Sequence, residues 1–193
     1  MNAQNNNSSR VAFHKGKRVT LRPPMKEDIP KMHRWINDRE VTKYLSSYLP
    51  VSLETEEKWF DNLANRKDDI IFCIEVDSVL IGTMGIHHIN WKDRVATTGA
   101  LIGEKEYWGR GFGTEAKILL LEYAFNSLNL RKIYSEVIAY NKRSLHYSLH
   151  CGYRQEGRKV KAVFYNGKYH DIICLALFKK DWLPYWKKFQ TKT

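Results

Sequence analysis

Cysteine is scarce in this chain. Cys73, Cys151 and Cys174 are the only three among 193 residues, far apart and in apolar or mixed surroundings. An odd, dispersed set excludes a disulfide framework and fits buried thiols of a reducing, cytoplasmic setting. Long apolar runs are absent too, and none approaches the ~20 residues of a membrane span. The first nine residues, polar and rich in asparagine, lack the apolar stretch of a secretory signal. Acidic residues are in deficit, 21 against 32 lysines and arginines, for a net charge of +11. That balance favours anionic partners: a polyphosphate cofactor, a nucleotide-linked substrate or RNA-rich surroundings. The excess is spread along the chain with no nucleic-acid fold motif beside it, so no specific nucleic-acid partner is expected.

What is present reads as one soluble α/β domain, with 43% hydrophobic and 27% charged residues. Residues 1–12 are expected to be a disordered tail, 13–182 the domain, and 183–193 a basic tail. Lys17–Leu21 reads as a strand closed by Pro23 and Pro24. Met25–Trp35 has helical spacing, and Leu53–Asn65 is a second helix capped by Ser52. Strands Ile70–Val76 and Val79–Ile86 turn at Asp77-Ser78, and Val95–Ile102 follows. Thr114–Leu128 is an apolar helix. Ile133–Tyr140 is a strand, Asn141–His150 a short helix ended by Gly152, and Tyr153–Phe164 and Lys168–Phe178 are strands turning at Asn166-Gly167. No internal repeat or linker interrupts this order.

The stretch Glu106–Ala116 puts Gly109, Gly111 and Gly113 in a loop that runs straight into the apolar helix. Such glycines let successive N–H groups converge, and a helix N-terminus makes that a site for a pyrophosphate. No Lys-Ser or Lys-Thr follows, which excludes a Walker A loop. Thr114 stands where a dinucleotide fingerprint needs its third glycine, and no ribose-clamping acid lies about 20 residues on. A glycine turn that merely starts a helix is the remaining plain alternative.

The element order and this loop resemble the GNAT family of acetyl-CoA-dependent N-acetyltransferases. The family signature Gln/Arg-x-x-Gly-x-Gly/Ala maps onto Trp108–Gly113, with tryptophan at its first place. That departure and the following Thr114-Glu115-Ala116 resemble the RimJ/RimL-like ribosomal-protein subgroup, to which spermidine acetyltransferases are close. Asn141 with Ser144, Cys151-Gly152-Tyr153, Glu156-Gly157, and Gly167 with Asp171 extend the likeness over roughly residues 17–182. The resemblance implies a mixed, mostly antiparallel sheet of about seven strands with four helices, its fourth and fifth strands splayed apart. Acetyl-CoA is then the co-substrate. Its pantetheine would lie against the backbone of Leu101, Ile102 and Gly103, and its pyrophosphate at Trp108, Gly109, Arg110, Gly111, Phe112, Gly113 and Thr114. Asn141 and Ser144 would stand beside the pantetheine.

Direct acetyl transfer needs a neutral amine, a donor to the developing oxyanion and a proton for the leaving sulfur. The glutamate that many relatives use as base falls on Thr98. The usual acid tyrosine falls on Ser148, with Tyr147 one residue earlier. Tyr147 is thus read either as a core residue or as a displaced acid, and Ser148 as a relay. His88 and His87 are the base candidates, on opposite faces of their strand, with Glu136 as a further one. Tyr44, Tyr48 and His87 are candidates for contacting the acceptor. His146 and His150 have metal-capable spacing but no zincin glutamate, and no metal is expected. The acceptor reads as a protein N-terminus, of a ribosomal protein or peptide, or a small-molecule amine, with a polyamine or amino sugar as the alternative, and the protein as a monomer or homodimer without membrane attachment. The lost glutamate and displaced tyrosine also leave open a non-catalytic acetyl-CoA sensor.

Overall fold

The computed structural model describes residues 11–45 and 47–191. Most of the expected N-terminal tail lies outside the described residues. Eight strands form one sheet: β1 (His14–Lys15), β2 (Thr20–Arg22), β3 (Ile70–Val76), β4 (Val79–Asn90), β5 (Val95–Ile102), β6 (Lys132–Ile138), β7 (Arg154–Tyr165) and β8 (Lys168–Phe178). Six α-helices accompany them: α1 (Ile29–Asn37), α2 (Arg39–Thr42), α3 (Leu53–Asp61), α4 (Phe112–Glu122), α5 (Lys142–His150) and α6 (Lys179–Thr191). The strand order is β1-β2-β3-β4-β5-β6-β8-β7, antiparallel throughout except for the parallel β5–β6 pair. This is the mixed, mostly antiparallel sheet expected above, with eight strands and six α-helices in place of about seven and four.

The turns follow from their residues. Asp77 and Ser78 both have positive φ, as do Asn166 and Gly167. Two consecutive left-handed residues match the twist of the flanking strands, so each pair closes a tight hairpin. Gly152 ends α5 at φ 96°, a conformation that costs a side-chain-bearing residue about 1–2 kcal/mol.

One sheet face packs on α4, which is mostly apolar and buries Phe112, Ala116, Ile118, Leu119, Leu120 and Leu121 along with Glu115 and Lys117. A helix with no polar stripe must be covered on every side. The sheet covers one side, and α5 and α6 cover others. The opposite face carries α1, whose Met32 and Trp35 pack with Val41, Cys73 and Leu80. Past Phe178 the chain is helical: Trp182 is fully buried, stacks on Trp186 and lies 5.3 Å from the Phe125 ring.

Two local departures from the expected pattern bear on the site. β4 runs on to Asn90, four residues beyond the expected end, and its pairing with β5 slips between His87 and Asn90. His88 sits in that bulge with φ 52°. Among the described residues no helix is long and apolar enough to cross a membrane.

Candidate active-site cleft

β5 and β6 pair only at Val95↔Lys132, Ala96↔Ile133 and Thr97↔Tyr134. Beyond Thr97 they part, and the gap opens into a cleft of about 490 Å³. Residues 98–102 of β5 form one wall, residues 135–138 of β6 the other. A parted strand pair leaves a row of main-chain donors and acceptors that an extended ligand can use as a missing strand.

The ladder with β4 decides which of those groups are free. Antiparallel pairing directs the main chain of alternate residues to opposite sides. The Gly103 N–H donates to Ile81 O at 2.9 Å, and Leu101 stands opposite Thr83 two residues back in the same phase. Leu101 and Gly103 therefore turn their main chain toward β4, and Ala100 and Ile102 turn theirs into the gap. The Ile102 carbonyl accepts the Trp108 indole N–H at 2.7 Å, which leaves the Ile102 N–H and both groups of Ala100. Of the expected backbone set, Ile102 turns main chain into the gap and Leu101 does not, while Ala100 does; Leu101 still lines the cleft. Gly103 lies under the Trp35 ring, so close that a Cβ there would meet the indole at 2.0 Å.

The glycine loop closes the C-terminal end of the cleft. Gly111 is the N-cap of α4 at φ 85° and ψ −2°, with no side chain capping the helix. The first amides of an α-helix have no intrahelical acceptor, so those of Phe112, Gly113 and Thr114 face the cleft mouth unspent, at the positive end of the helix dipole. Gly109, Gly111, Phe112, Gly113 and Thr114 all line the cleft. Arg110 lies outside the lining; its guanidinium rests over Tyr107 and Phe112. Trp108, at the family's Gln/Arg position, ties the loop to the end of β5 through its indole.

The loop is braced from outside. Glu115 is buried and accepts the Arg18 N–H at 2.7 Å, the Val19 N–H at 3.2 Å and Arg18 Nε at 3.2 Å. Arg18 Nη1 reaches the Arg110 carbonyl at 3.2 Å. Changing Glu115→Gln should cost about 1 kcal/mol, because the buried Val19 amide and the part-buried Arg18 amide keep only a neutral acceptor. Urea unfolding with an unchanged slope would check this.

At the floor of the cleft Thr98 Oγ1 meets Tyr153 OH at 2.9 Å and accepts Lys117 Nζ at 2.7 Å. Lys117 is buried with no acidic partner among the described residues, and burial pulls its pKa down to about 8. Tyr147 lines the cleft with its ring half-buried, and burial of the phenol pushes its pKa well above 10. It therefore keeps its proton throughout the neutral range. Ser148 is buried outside the lining, so the one-residue shift does turn it away. Asn141 Oδ1 caps α5 by accepting the Ser144 N–H at 3.0 Å, and both residues border the cleft.

The acceptor side carries Val41, Tyr44 and Leu45. Arg143 stands 4.3 Å over Trp108 and 5.8 Å over Tyr44, with Lys43 5.1 Å over Tyr44. Glu136 is the single carboxylate among the described lining residues, and Lys159 holds it in an ion pair. Tyr48 is 87% exposed and His88 points outward from its bulge, and neither lines the cleft. His87 also stands outside the lining, but beside it, over Gly99. Sequence reasoning missed Arg143 and Ala100. Arg143 sits among surface-type residues of a short helix, and Ala100 depends on a ladder phase that composition does not reveal.

A parted parallel pair, a left-handed glycine at a helix start and free amides on one side of the gap fit a pantetheine-linked diphosphate. The comparisons agree. Residues 18–154 match the acetyltransferase (GNAT) domain model. The spermidine N(1)-acetyltransferase of Escherichia coli (strain K12) is 28% identical over 165 residues, covering 86% of this chain and 88% of that one. An N-acetyltransferase called p20 from Bacillus licheniformis is 30% identical over 173 residues, covering 86% of this chain and 95% of that protein. A crystal structure of spermidine N-acetyltransferase from Vibrio cholerae in complex with CoA and spermine superposes with a TM-score of 0.81 at 28% identity. It covers 86% of this chain and 98% of its own. These relatives do not carry the narrower likeness to the ribosomal-protein subgroup. The chain belongs to the GNAT family and is an acetyl-CoA-dependent N-acetyltransferase.

Proposed function

We propose that the acceptor is the N-terminal amine of a polypeptide and that the acetyl group passes to it directly, in a ternary complex. The observation that carries this reading is the charge of the acceptor side. Arg143 and Lys43 flank Tyr44 there, and the one carboxylate among the described lining residues is already paired with Lys159. A polyamine would bring several positive charges to that wall with no free acid to receive them, on a protein of net charge +11. A polypeptide N-terminus brings one, and its carbonyls can accept from Arg143.

The acid–base demand points the same way. An α-amine titrates near 7.7–8.0, against about 10.4 for a lysine-type amine. Its neutral form is well populated at neutral pH, so a cleft without a free carboxylate base can use it.

Acetyl-CoA supplies an activated thioester. The α4 amides and the glycine loop would hold its diphosphate, while Ala100 and Ile102 would hold the pantetheine arm. A cleft-facing N–H of β5 is placed to stabilise negative charge on the acetyl oxygen. Tyr147 is a proton donor on the opposite wall.

A second reading, a polyamine acceptor, is favoured by the spermidine acetyltransferases among the relatives. Thiol release from acetyl-CoA separates the two over a panel of N-terminal peptides, spermidine, spermine, an aminoglycoside and an amino sugar. Peptides should give a kcat/KM at least about tenfold above either polyamine, the discrimination expected from one unpaired charge contact of roughly 1.4 kcal/mol. The reverse order would replace the first reading by the second.

A further inference from the structure

β4 presents a histidine to the acceptor side of the sheet on a bed of two glycines. His87 pairs with Thr97, Gly85 with Gly99, and Thr83 with Leu101. In a pleated sheet these residues share one face. Leu101 packs into the Met32–Trp35–Val41 cluster, so that face is the one bearing the acceptor-side residues. The imidazole lies across the space that side chains at positions 85 and 99 would fill. A Cβ on Gly85 would stand 2.5 Å from His87 Nε2, and one on Gly99 3.4 Å from it. Gly99 lines the cleft, so Nε2 reaches its border.

The other ring nitrogen is held. His87 Nδ1 lies 3.3 Å from Asp69 Oδ1. Asp69 is fixed in turn by the His88 N–H at 3.2 Å and by Arg66 Nη1 at 3.2 Å. A carboxylate on Nδ1 selects the tautomer in which Nδ1 carries the proton and Nε2 the lone pair. The bulge at His88 is what delivers this: it turns the His88 amide onto Asp69 and its ring outward.

We propose that His87 is the general base of the reaction and that Asp69 is its positioning residue. Resting on the acetyl-transfer reading, the step is as follows. The acceptor ammonium carries two protons that must leave as the C–N bond forms and the C–S bond breaks. His87 Nε2 takes one, directly or through a water, and passes it to solvent. The other ends on the departing sulfur. The sum is one ammonium and one thioester giving one amide, one thiol and one proton.

The groups around the ring suit this. Burial holds the His87 pKa below the ordinary 6.5, with His88 and Lys117 pushing the same way and Asp69 against them. Asp69 stays ionised, since the hydrogen bonds from the His88 N–H, from Arg66 and from the His87 ring outweigh its burial. His87 is therefore neutral and able to accept at pH 7.

The test combines NMR titration with kinetics, using whichever amine the thiol-release panel selects. The His87 ring resonance in the free enzyme should titrate below 6.5, with the Nδ1–H tautomer dominant. Asp69→Asn should move both the midpoint and the tautomer. His87→Ala should lower kcat/KM about 100-fold at pH 7, the lower end of what a positioned base contributes. The gap should narrow as pH rises past the acceptor's own pKa and the amine deprotonates unaided. Asp69→Asn should lower kcat with the acceptor KM unchanged. A constant ratio between wild type and His87→Ala at every pH would mean a merely structural ring. Equal rates, or a His87 midpoint above 7, would also overturn the proposal. The midpoint is read without any acceptor, so failure here and a wrong acceptor remain distinguishable.

Discussion

Gly111→Ala should weaken coenzyme A binding about 100-fold, with unfolding little changed. Gly111 holds φ 85° at the start of α4, where a Cβ costs about 1–2 kcal/mol. The added methyl would also stand 3.3 Å from Arg18 Nη2, closer than ordinary contact. The loop can relieve the strain by turning the Gly111 peptide, but that swings the next amides off the point where they converge. Each charge-assisted N–H contact is worth about 1.5–3 kcal/mol, so losing one with residual strain gives about 3 kcal/mol, or two decades in affinity. Isothermal titration against coenzyme A would measure it. A loss under threefold would mean that these amides do not grip the diphosphate. Gly113→Ala is the useful comparison, because its Cβ would meet only the Ile102 side chain at an ordinary 3.8 Å.

Lys117→Met should make the protein more stable at pH 7 by about 2 kcal/mol. Burial lowers the Lys117 pKa from 10.5 to about 8. Below pH 8 the folded protein carries a buried ammonium that the unfolded chain would carry in water. A shift of this size corresponds to about 3 kcal/mol at 1.36 kcal/mol per unit. Losing the hydrogen bond to Thr98 returns roughly 1 kcal/mol, while Thr98 and Tyr153 keep each other as partners. The sign can be checked by pH. Between about 8 and 10.5 the unfolded state binds more protons than the folded one, so wild-type stability rises with pH across that window. The advantage of methionine, full below pH 8, should fade there. Melting should shift up by about 4–8 °C at pH 7. A destabilised variant would show that the bonds Lys117 makes outweigh its desolvation.

Much of the fold was legible because local chemistry and global pattern agreed. Asp77-Ser78 and Asn166-Gly167 demand left-handed turns, the run from Ile118 to Phe125 demands cover on all sides, and the three loop glycines demand a close approach to something. What was not legible depends on phase. Period-two counting assigns His87 and His88 to opposite faces, which holds only until a bulge intervenes; His88 at φ 52° breaks the count. The same limit misplaced the cleft-facing backbone by one residue, since side-chain patterns say nothing about which peptide groups the β4 ladder consumes. The two-residue strand at His14 and the four-residue helix at Arg39 are too short to carry a period. α6 mixes lysines with Trp182, Trp186 and Phe189, and reads as a tail until its stacked rings are seen against Phe125.

The grip of Glu115 on Arg18 and Val19 means that the ligand-binding turn, in the middle of the chain, is completed by its amino end. A version of this protein trimmed to begin at Thr20 would retain all three loop glycines and every cleft residue. It would nonetheless leave a carboxylate stranded in the interior and the turn unsupported. Engineering at the amino end is thus an indirect way to retune coenzyme affinity.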